Sequence, residues 1–352
     1  MEANRMIPFG RFSVSTMDFD PFAECVDTHT AGEPTRILTG GFDVGELDGQ
    51  SAEASRDLFA ERHDWLRKLL VREPRGHENM FGAVPLFEVA DDADLGLFFF
   101  DNGGYLDMCG HGTIGVVTAL IETGRLPERS SYEIATPAGT VTAEPTTEDG
   151  RVRSVQIDNV PSYVLGETTV DLPGTGPVDV DIVYSGNVVA LVDAAQFEFE
   201  LEQSDLDRIR ECGRALKRRL NADGSPLAEE ALPAAVSVVE FYERRPDVDR
   251  NVVVFGNGSI DRSPCGTGTC AKITLLYEEG ELPVGTPYRY QSILGGEFTA
   301  TVKNVEDGED GVVVHPVVRG SAYVTGMHQF VRDPEDELGS FHLGSGATEL
   351  EQ

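Results

Sequence analysis

Long apolar runs are missing from this sequence of 352 residues. No window reaches the roughly 20 apolar residues that a membrane-spanning helix needs. The N-terminus lacks the charged start and the apolar run of a secretory signal. We therefore expect a cytoplasmic protein with no membrane partner. The length allows two domains of ordinary size, each with its own core.

Basic residues are also scarce. There are 28 Lys and Arg residues against 61 Asp and Glu residues, which gives a formal net charge of −33, and only four of the basic residues are lysines. Such a field repels nucleic acid and anionic membrane surfaces, so neither is expected as a partner. An acidic surface with little lysine is typical of proteins from salt-loving organisms, where salt screens the self-repulsion. We expect a halophilic source.

The few cysteines are spaced in a way that excludes two common uses. The five, Cys25, Cys109, Cys212, Cys265 and Cys270, are an odd number, lie far apart and include no CxxC pair. That spacing fits neither a disulfide framework nor a zinc site, so we expect reduced thiols and no metal. Cys25, Cys212 and Cys270 are interpreted as small buried hydrophobes.

Cys109 and Cys265 differ from the others because each begins a copy of one repeated segment. The segment "CGHGTIGVVTALIETGRLP" (109–127) aligns without a gap to "CGTGTCAKITLLYEEGELP" (265–283), and 10 of the 19 pairs are identical. A purely structural cysteine has no reason to recur together with its glycine-rich context. The repeat therefore predicts a thiol-bearing element that the chain builds twice.

A cysteine at a glycine-rich helix start has a specific chemistry. The first helical turn offers free N–H groups and the positive end of the helix dipole, which together hold a carboxylate. The same position is expected to lower the pKa of the thiol towards neutrality. Two such motifs facing each other across a cleft favour inversion of a carbon that bears a carboxylate. One thiolate removes the α-proton, and the other thiol protonates the opposite face.

The remaining patterns predict an α/β protein made of two related halves. Apolar residues at helical spacing predict a helix from about 51 to 72, and strand-like runs surround both cysteine motifs. A stretch rich in Gly and Pro around 165–178 favours a domain boundary there. The predicted divisions are a leader (1–20), an N-terminal domain (21–165), a C-terminal domain (166–317), a return segment packing on the N-terminal domain (318–335) and a weakly ordered acidic tail (336–352).

The motifs "MCGHGTIG" and "DRSPCGTGT" resemble the two catalytic motifs of the proline racemase family. Supporting similarities are "DTHTAGEPTRI" (27–37), "EPRGHENMFGA" (73–83) and "DNGGYLDMCGH", and the resemblance runs from about 24 to about 332. It implies a fold like that of diaminopimelate epimerase, in which each of two domains wraps a curved, mostly antiparallel sheet around a central helix. It also implies a homodimer acting on a small amino acid without a cofactor.

Carried over residue by residue, the resemblance implies that Cys109 and Cys265 are the acid/base pair. It implies that Asp261 accepts a hydrogen bond from the ring nitrogen, although spacing alone explains Asp261 equally well as a loop cap. The residues expected around the substrate carboxylate are Gly110, His111, Gly266 and Thr267, and the expected apolar walls of the ring site are Phe81 and Phe255. His29 and His77 are interpreted as residues that tie loops together.

The branch of the family is inferred from single positions. The dehydratase branch typically has Thr in place of the second cysteine, so Cys265 favours racemisation or epimerisation. The segment 237–243 has no histidine, where hydroxyproline-type members tend to carry one, and this favours proline. The alternatives are a 4-hydroxyproline 2-epimerase, a trans-3-hydroxyproline dehydratase and a non-catalytic binder of small amino acids. A diaminopimelate epimerase ranks below these, because its motifs do not resemble "MCGHGTIG".

Overall fold

The computed structural model describes residues 20–41, 45–222, 232–308, 311–342 and 349–351. In the first half of the chain the elements are β1 (Asp20–Thr30), β2 (Glu33–Gly40), α1 (Ala52–Arg62), α2 (Asp64–Val71), β3 (Gly82–Leu86), β4 (Leu95–Phe100), β5 (Tyr105–Leu106), α3 (Gly110–Glu122), β6 (Tyr132–Thr136), β7 (Gly139–Glu148) and β8 (Arg151–Asp158). The predicted helix over 51–72 is two helices, since the chain leaves the helical conformation at His63.

The second half repeats much of this order. Its elements are β9 (Tyr163–Leu172), β10 (Gly176–Tyr184), β11 (Val188–Asp193), α4 (Leu206–Leu220), β12 (Val236–Glu243), β13 (Asp249–Phe255), β14 (Ser259–Ile260), α5 (Gly266–Glu278), β15 (Tyr288–Ser292), β16 (Glu297–Asp307), β17 (Val312–Gly320), β18 (Ala322–Arg332), β19 (Ser340–His342) and β20 (Glu349–Glu351). Among the described residues, every helix is too short or too polar to cross a membrane.

The strands pair in two matching series. One series runs β18–β1–β2–β3–β4–β6–β7–β8, and the other runs β9–β10–β11–β12–β13–β15–β16–β17. Pairs are antiparallel except β2 with β3, β4 with β6, β11 with β12 and β13 with β15, which occupy the same steps of the two series. β8 and β17 join the series as antiparallel neighbours. The predicted mixed α/β class of curved, mostly antiparallel sheet is confirmed.

Each series surrounds one of the two repeated helices. α3 packs against β1, β7, β8 and β18, while α5 packs against β9, β11, β16 and β17. All residues from Gly110 to Leu120 and from Gly266 to Leu276 are buried. A helix buried on every side has an apolar sequence all round, which explains why neither copy shows a polar face. α1 and α2 cover the first series from outside, and α4 covers the second.

The repeated Gly-x-Leu-Pro ends both central helices in the same way. Gly124 and Gly280 have φ values of 71° and 74°, in the left-handed region that glycine enters without strain. Their N–H groups, and those of the two residues that follow each, bond to carbonyl groups of the last helical turn. Leu126 and Leu282 then pack on the helices, so the repeat encodes a matching C-terminal cap.

The two ends of the chain differ in part from the sequence prediction. Asp20, placed in the leader, is the first residue of β1, and residues 1–19 lie outside the described residues. β18 pairs with β1, which supports the idea that the return segment packs on the N-terminal half. In the segment predicted as the acidic tail, Phe341 donates its N–H to the carbonyl of Glu73 and β19 pairs with β20.

Candidate active site

The N-termini of α3 and α5 meet at one small cavity between the two halves. The nine site residues predicted from the sequence all line it: Phe81, Cys109, Gly110, His111, Phe255, Asp261, Cys265, Gly266 and Thr267. Five further lining residues, which sequence reasoning missed, are Leu106, Met108, Asn187, Val238 and Val253. The structure therefore brings together residues that lie up to 186 positions apart in the chain.

Glycine at the first position of each helix lets the helices touch. A Cβ atom on Gly110 would lie 2.7 Å from the Cα of Gly266, and one on Gly266 would lie 2.6 Å from the Cα of Gly110. Both distances are shorter than side chains tolerate. The two glycines thus allow the two backbones to pack in contact. This packing role adds to the one expected from the sequence, which is to let a ligand come close to the chain.

The two cysteines are the N-cap residues of these helices. The Sγ of Cys109 accepts from the N–H of Gly112 at 3.2 Å, and the Sγ of Cys265 accepts from the N–H of Gly268 at 3.4 Å. Gly112 leaves room for the first thiol, because a Cβ there would lie 3.2 Å from that sulfur and 2.9 Å from the ring of Phe99. The other N–H groups of each first turn have no partner inside the helix and can face a bound anion.

The ionisation of the thiols differs from the sequence prediction. Burial raises the pKa of both Cys109 and Cys265 well above the ordinary thiol value, although hydrogen bonds from Gly112 and Gly268 act in the opposite direction. The prediction of a pKa near neutrality is wrong for this structure, because removal from water outweighs the helix N-terminus. Burial therefore favours the protonated thiol, the form that donates a proton, at both positions.

A polar side chain accompanies each thiol two residues further on. The Nδ1 of His111 lies 3.2 Å from the Sγ of Cys109, and the Oγ1 of Thr267 lies 3.6 Å from the Sγ of Cys265. Burial lowers the pKa of His111 to about 3, so its ring is neutral at physiological pH. A neutral imidazole next to Cys109 polarises the thiol and leaves the cavity without a fixed positive charge at this point.

Asp261 lies at the same cavity as Cys265. Its Oδ1 accepts the N–H of Ser263 at 2.7 Å, and the Oγ of Ser263 accepts the N–H of Cys265 at 3.0 Å. Burial raises the pKa of Asp261 to about 6, while the hydrogen bonds of Ser263 lower it. Asp261 is thus a carboxylate above pH 6 and can accept from an ammonium. Asp261 thus caps its own loop through Ser263, as the alternative interpretation expected, while the N-cap of α5 itself is Cys265.

The walls of the cavity are mostly apolar. The rings of Phe81 and Phe255 meet edge to face at 6.4 Å, and Phe81 also packs on the ring of His111 at 4.6 Å. Val238 and Val253 complete the wall. Asn187, Asp261, His111 and Thr267 are its polar members, besides the two thiols. Such a lining suits a small apolar ring that carries one anionic and one cationic group.

Two fully buried acids lie behind the cysteines and escaped sequence reasoning. Burial raises the pKa of Glu33 well above the ordinary value, and the charge of Asp261 adds to this shift. Burial also raises the pKa of Glu240 to about 7, against the opposing hydrogen bond from the hydroxyl of Tyr290 at 2.6 Å. A lone acid inside the apolar strand "VSVVEFYE" was the available signal for Glu240.

The other predicted groups lie away from the cavity. Cys25 and Cys270 are buried in the core, and Cys212 is half-buried on α4. The Nδ1 of His29 accepts from the N–H of Gly32, and that of His77 accepts from the N–H of Asn79. Both histidines thus tie their own loops, as interpreted from the sequence. Within the described ranges, no three His, Cys, Asp or Glu side chains are grouped to hold a metal ion.

Comparison with known proteins points to a single family. Residues 25–341 match the proline racemase family. A proline racemase from Clostridioides difficile is 40% identical over 331 residues, which cover 92% of this chain and 98% of that protein. A trans-3-hydroxy-L-proline dehydratase from Bacillus cereus is 38% identical over 329 residues, which cover 91% of this chain and 97% of that protein.

A solved structure shares the whole architecture. A hydroxyproline epimerase from Agrobacterium vitis, with bound trans-4-hydroxy-L-proline, superposes with a TM-score of 0.82 at 28% sequence identity. The superposition covers 91% of this chain and 95% of the epimerase. The relatives therefore include three different activities on closely related ring substrates.

Proposed function

Because the chain belongs to the proline racemase family, whose named racemases and epimerases are isomerases, we propose that it inverts the α-carbon of proline with a pair of cysteines. One observation carries the proposal. Two thiols, on helices that begin at touching glycines, line one small cavity between pseudo-symmetric halves. Inversion requires equivalent proton transfers on the two faces of one carbon, and a site with one cysteine motif from each half offers them.

The helix N-termini are proposed to hold the substrate carboxylate. The free N–H groups of the first turns, at Gly110, His111, Gly266 and Thr267, offer hydrogen bonds to an anion. These donors also stabilise the charge that builds up on the carboxylate when the α-proton leaves, and the surrounding walls exclude water. The chain's own groups therefore lower the barrier, and the proposal needs neither a metal nor an organic cofactor.

Proton transfer then passes between the two sulfurs by way of the α-carbon. One cysteine first releases its thiol proton to water, before the substrate closes the cavity; as thiolate it then takes the α-proton from its face, and the opposite thiol gives its own proton to the other face. After one turnover the thiol and the thiolate have exchanged places between Cys109 and Cys265. Asp261 accepts from the ring nitrogen, which places the α-carbon between the sulfurs. The high thiol pKa means that the thiolate is a strong base once formed.

The cavity walls support proline over 4-hydroxyproline as the substrate. β12 contributes Val238 to the wall, and β13 contributes Val253 and Phe255. A buried ring hydroxyl without a partner costs about 1–3 kcal/mol. Asn187 is a polar wall residue whose Nδ2 donates to the carbonyl of Met108 at 2.8 Å; its Oδ1 and second N–H are the groups that a hydroxylated ring would use. The 4-hydroxyproline 2-epimerase remains the alternative.

The dehydratase and binder alternatives predict different results from the same variants. Dehydration of trans-3-hydroxy-L-proline needs a single base, so this activity would survive replacement of Cys265. A binder would retain affinity for proline and show neither exchange nor inversion. The presence of a second cavity thiol at Cys265 favours the isomerase, since a lyase has no use for a proton donor on the opposite face.

The test is exchange of the α-proton in D₂O with reductant and high salt present. NMR and chiral chromatography would follow L-proline, trans-4-hydroxy-L-proline and trans-3-hydroxy-L-proline. We expect exchange with inversion of proline, and its loss in Cys109→Ser and in Cys265→Ser. Cys212→Ser is the matched control, because Cys212 lies on α4 away from the cavity. Near-normal turnover in either cavity variant would contradict the two-thiol mechanism.

The homodimer, the cytoplasmic location and the halophilic source stay predictions. The acidic composition supports the halophilic source, and the family resemblance supports the dimer. Size-exclusion chromatography with light scattering in high salt would measure the oligomeric state directly.

A further inference from the structure

Two equivalent turns support the two central helices. At the first turn, between β1 and β2, the last residue of β1 is Thr30, whose Oγ1 donates to the carbonyl of His111 at 2.8 Å. The turn between β10 and β11 places Ser185, whose Oγ donates to the carbonyl of Thr267 at 2.9 Å. His111 and Thr267 are equivalent residues of the repeated segment. Each turn therefore holds the first turn of the helix in its own half.

The same two turns also reach across to the opposite half. Glu33, just after the first turn, accepts the N–H of Arg262 on its Oε2 at 2.7 Å. Asn187, in the second turn, donates from its Nδ2 to the carbonyl of Met108 at 2.8 Å. Arg262 lies three residues before Cys265, and Met108 directly precedes Cys109. Each of these two hydrogen bonds thus fixes the backbone that leads into the cysteine of the other half.

We infer that Glu33 and Asn187 are positioning residues that act on opposite cysteines, Glu33 on Cys265 and Asn187 on Cys109. The inference rests on the proposed two-thiol function. Neither side chain transfers a proton in this scheme. Together they set the positions of the two sulfurs relative to one α-carbon, through hydrogen bonds between the two halves.

The backbone conformation of Cys265 shows why the hydrogen bond to Glu33 is needed near this residue. Its φ is 60°, a left-handed value that a residue with a side chain adopts only when its surroundings impose it. The segment before it is held at three points: Glu33 accepts from Arg262, Asp261 accepts from Ser263, and Ser263 accepts from Cys265. Loss of the Glu33 contact would release this conformation and move both the sulfur and Asp261.

Glu33 contributes to this contact as a hydrogen-bond acceptor. The side chain is fully buried, and its Oε1 has no hydrogen-bond partner among the described residues. Burial raises the pKa of this carboxyl well above its ordinary value, although the guanidinium of Arg262, 3.6 Å away, acts in the opposite direction. A carboxyl group and a carboxamide have nearly the same shape, and both present an acceptor oxygen. Glu33→Gln therefore keeps the acceptor, whereas Glu33→Leu removes it.

The experiment compares Glu33→Leu, Glu33→Gln and Asn187→Leu on whichever ring substrate the wild type inverts. Misplacing one sulfur is expected to lower kcat by about tenfold to a hundredfold, because small errors in geometry are costly at the reacting atoms. Glu33→Gln is expected to stay within about threefold of the wild type, since the acceptor for the N–H of Arg262 remains. Circular dichroism and thermal unfolding check that each variant is folded.

The α-deuterium isotope effect on kcat/KM, measured for both enantiomers, identifies which sulfur is affected. In Glu33→Leu, transfer at Cys265 becomes the slower step. The effect should rise for the enantiomer that gives its proton to Cys265 and fall for the other. Asn187→Leu should give the reverse pattern. A residue that only stabilises the fold would lower both rates and leave the two isotope effects equal to those of the wild type.

Three results would overturn the inference while leaving the proposed function intact. They are isotope effects that do not change, effects that change in the same sense in both leucine variants, and a loss in Glu33→Gln as large as in Glu33→Leu. Failure of the wild type to invert any of the ring substrates is a different result. It would remove the proposed function itself, and with it the basis of the inference.

Discussion

At the scale of single residues, the two cavity cysteines are chemically alike and conformationally different. Cys109 has an extended backbone with a φ of −148°, whereas Cys265 has a φ of 60°. Their neighbours differ as well, since a neutral imidazole lies near the first sulfur and a hydroxyl near the second. A racemase must accept both mirror images of its substrate, but its two halves need only place equivalent sulfurs. Their supporting residues are free to differ.

Asp261 gives a prediction for the acid side of the pH profile. Its pKa is raised to about 6 by burial, so the group gains a proton as the pH falls through that value. Protonated Asp261 no longer attracts the ring ammonium, and kcat/KM should therefore fall more steeply with decreasing pH below about pH 6 than above it. The measurement is the pH dependence of kcat/KM for L-proline between pH 5 and pH 8.

Replacement of the Asp261 carboxylate should remove this fall in kcat/KM below about pH 6. Asp261→Asn is expected to lower kcat/KM at pH 8 by at least about tenfold, because the variant loses a hydrogen bond to a charged group. The remaining activity should no longer show this additional fall below about pH 6, the acid limb of the profile. Asp94→Asn, which changes an exposed acid paired with Arg129, is the control and should retain the limb. An unchanged limb in Asp261→Asn would show that another group titrates there.

At the scale of elements, the contact between α3 and α5 sets the separation of the two sulfurs. Gly110→Ala would place a methyl group 2.7 Å from the Cα of Gly266, and only backbone movement can relieve that clash. We expect inversion to fall by about a hundredfold or more, since the sulfurs move apart at the reacting carbon. Stability should fall by about 1–3 kcal/mol, the usual cost of overpacking. Turnover and thermal unfolding measure the two effects separately.

A matched glycine separates this effect from a general loss of flexibility. Gly40, at the end of β2, has an ordinary backbone conformation, and a Cβ there would meet only the flexible side chain of Glu24 at 3.3 Å. Gly40→Ala should therefore leave turnover unchanged. Gly266→Ala should reproduce the loss seen in Gly110→Ala, because the contact is reciprocal. Normal inversion in either helix variant would mean that the helices can separate without moving the thiols.

Sequence alone could predict the centre of this site and little of its support. The repeated Cys-Gly-x-Gly-Thr revealed α3 and α5, because helix starts are encoded by neighbouring residues. Glu33 and Asn187 could not be found in this way, since each acts on a backbone group that lies far away in the chain. Glu33 does lie in a motif that supported the family resemblance, but no local pattern shows that it contacts Arg262.

The pKa of the thiols shows the same limit. A helix N-terminus can be inferred from a motif, and it lowers a thiol pKa. The degree of burial depends on how the whole sheet closes over Cys109 and Cys265, and that effect is the larger one. The predicted long helix was wrong at one position: apolar spacing continues through His63, but the backbone there has a φ of −126° and leaves the helical conformation.

At the scale of the whole molecule, the strand pairing supports the proposed division near residue 165. β9 follows β8 along the chain but belongs to the second series, and β18 follows β17 but returns to the first. The first half therefore completes its sheet with β18, which follows the whole second half along the chain. This return of β18 ties the halves together, and we propose that they unfold as one cooperative unit.

The net charge of −33 gives the prediction for the whole molecule. Repulsion among so many carboxylates acts more strongly in the compact folded state than in the expanded unfolded chain, so it lowers stability at low salt. Salt shortens the screening length from about 10 Å at 0.1 M to about 3 Å at 1 M. We therefore expect Tm to rise between 0.1 M and 2 M KCl, and to rise most steeply below about 1 M, where screening changes most.

Thermal unfolding at a series of KCl concentrations tests this expectation, and the shape of the curve identifies its cause. Screening of self-repulsion saturates once the screening length is shorter than the spacing between surface charges, whereas salt-strengthened burial of apolar groups keeps growing with concentration. Repeating the series near pH 4.5, where many carboxylates are protonated, should shrink the rise at low salt because the repulsion is smaller. A Tm that does not respond below 1 M, or responds equally at both pH values, would show that surface repulsion does not limit the stability of this fold.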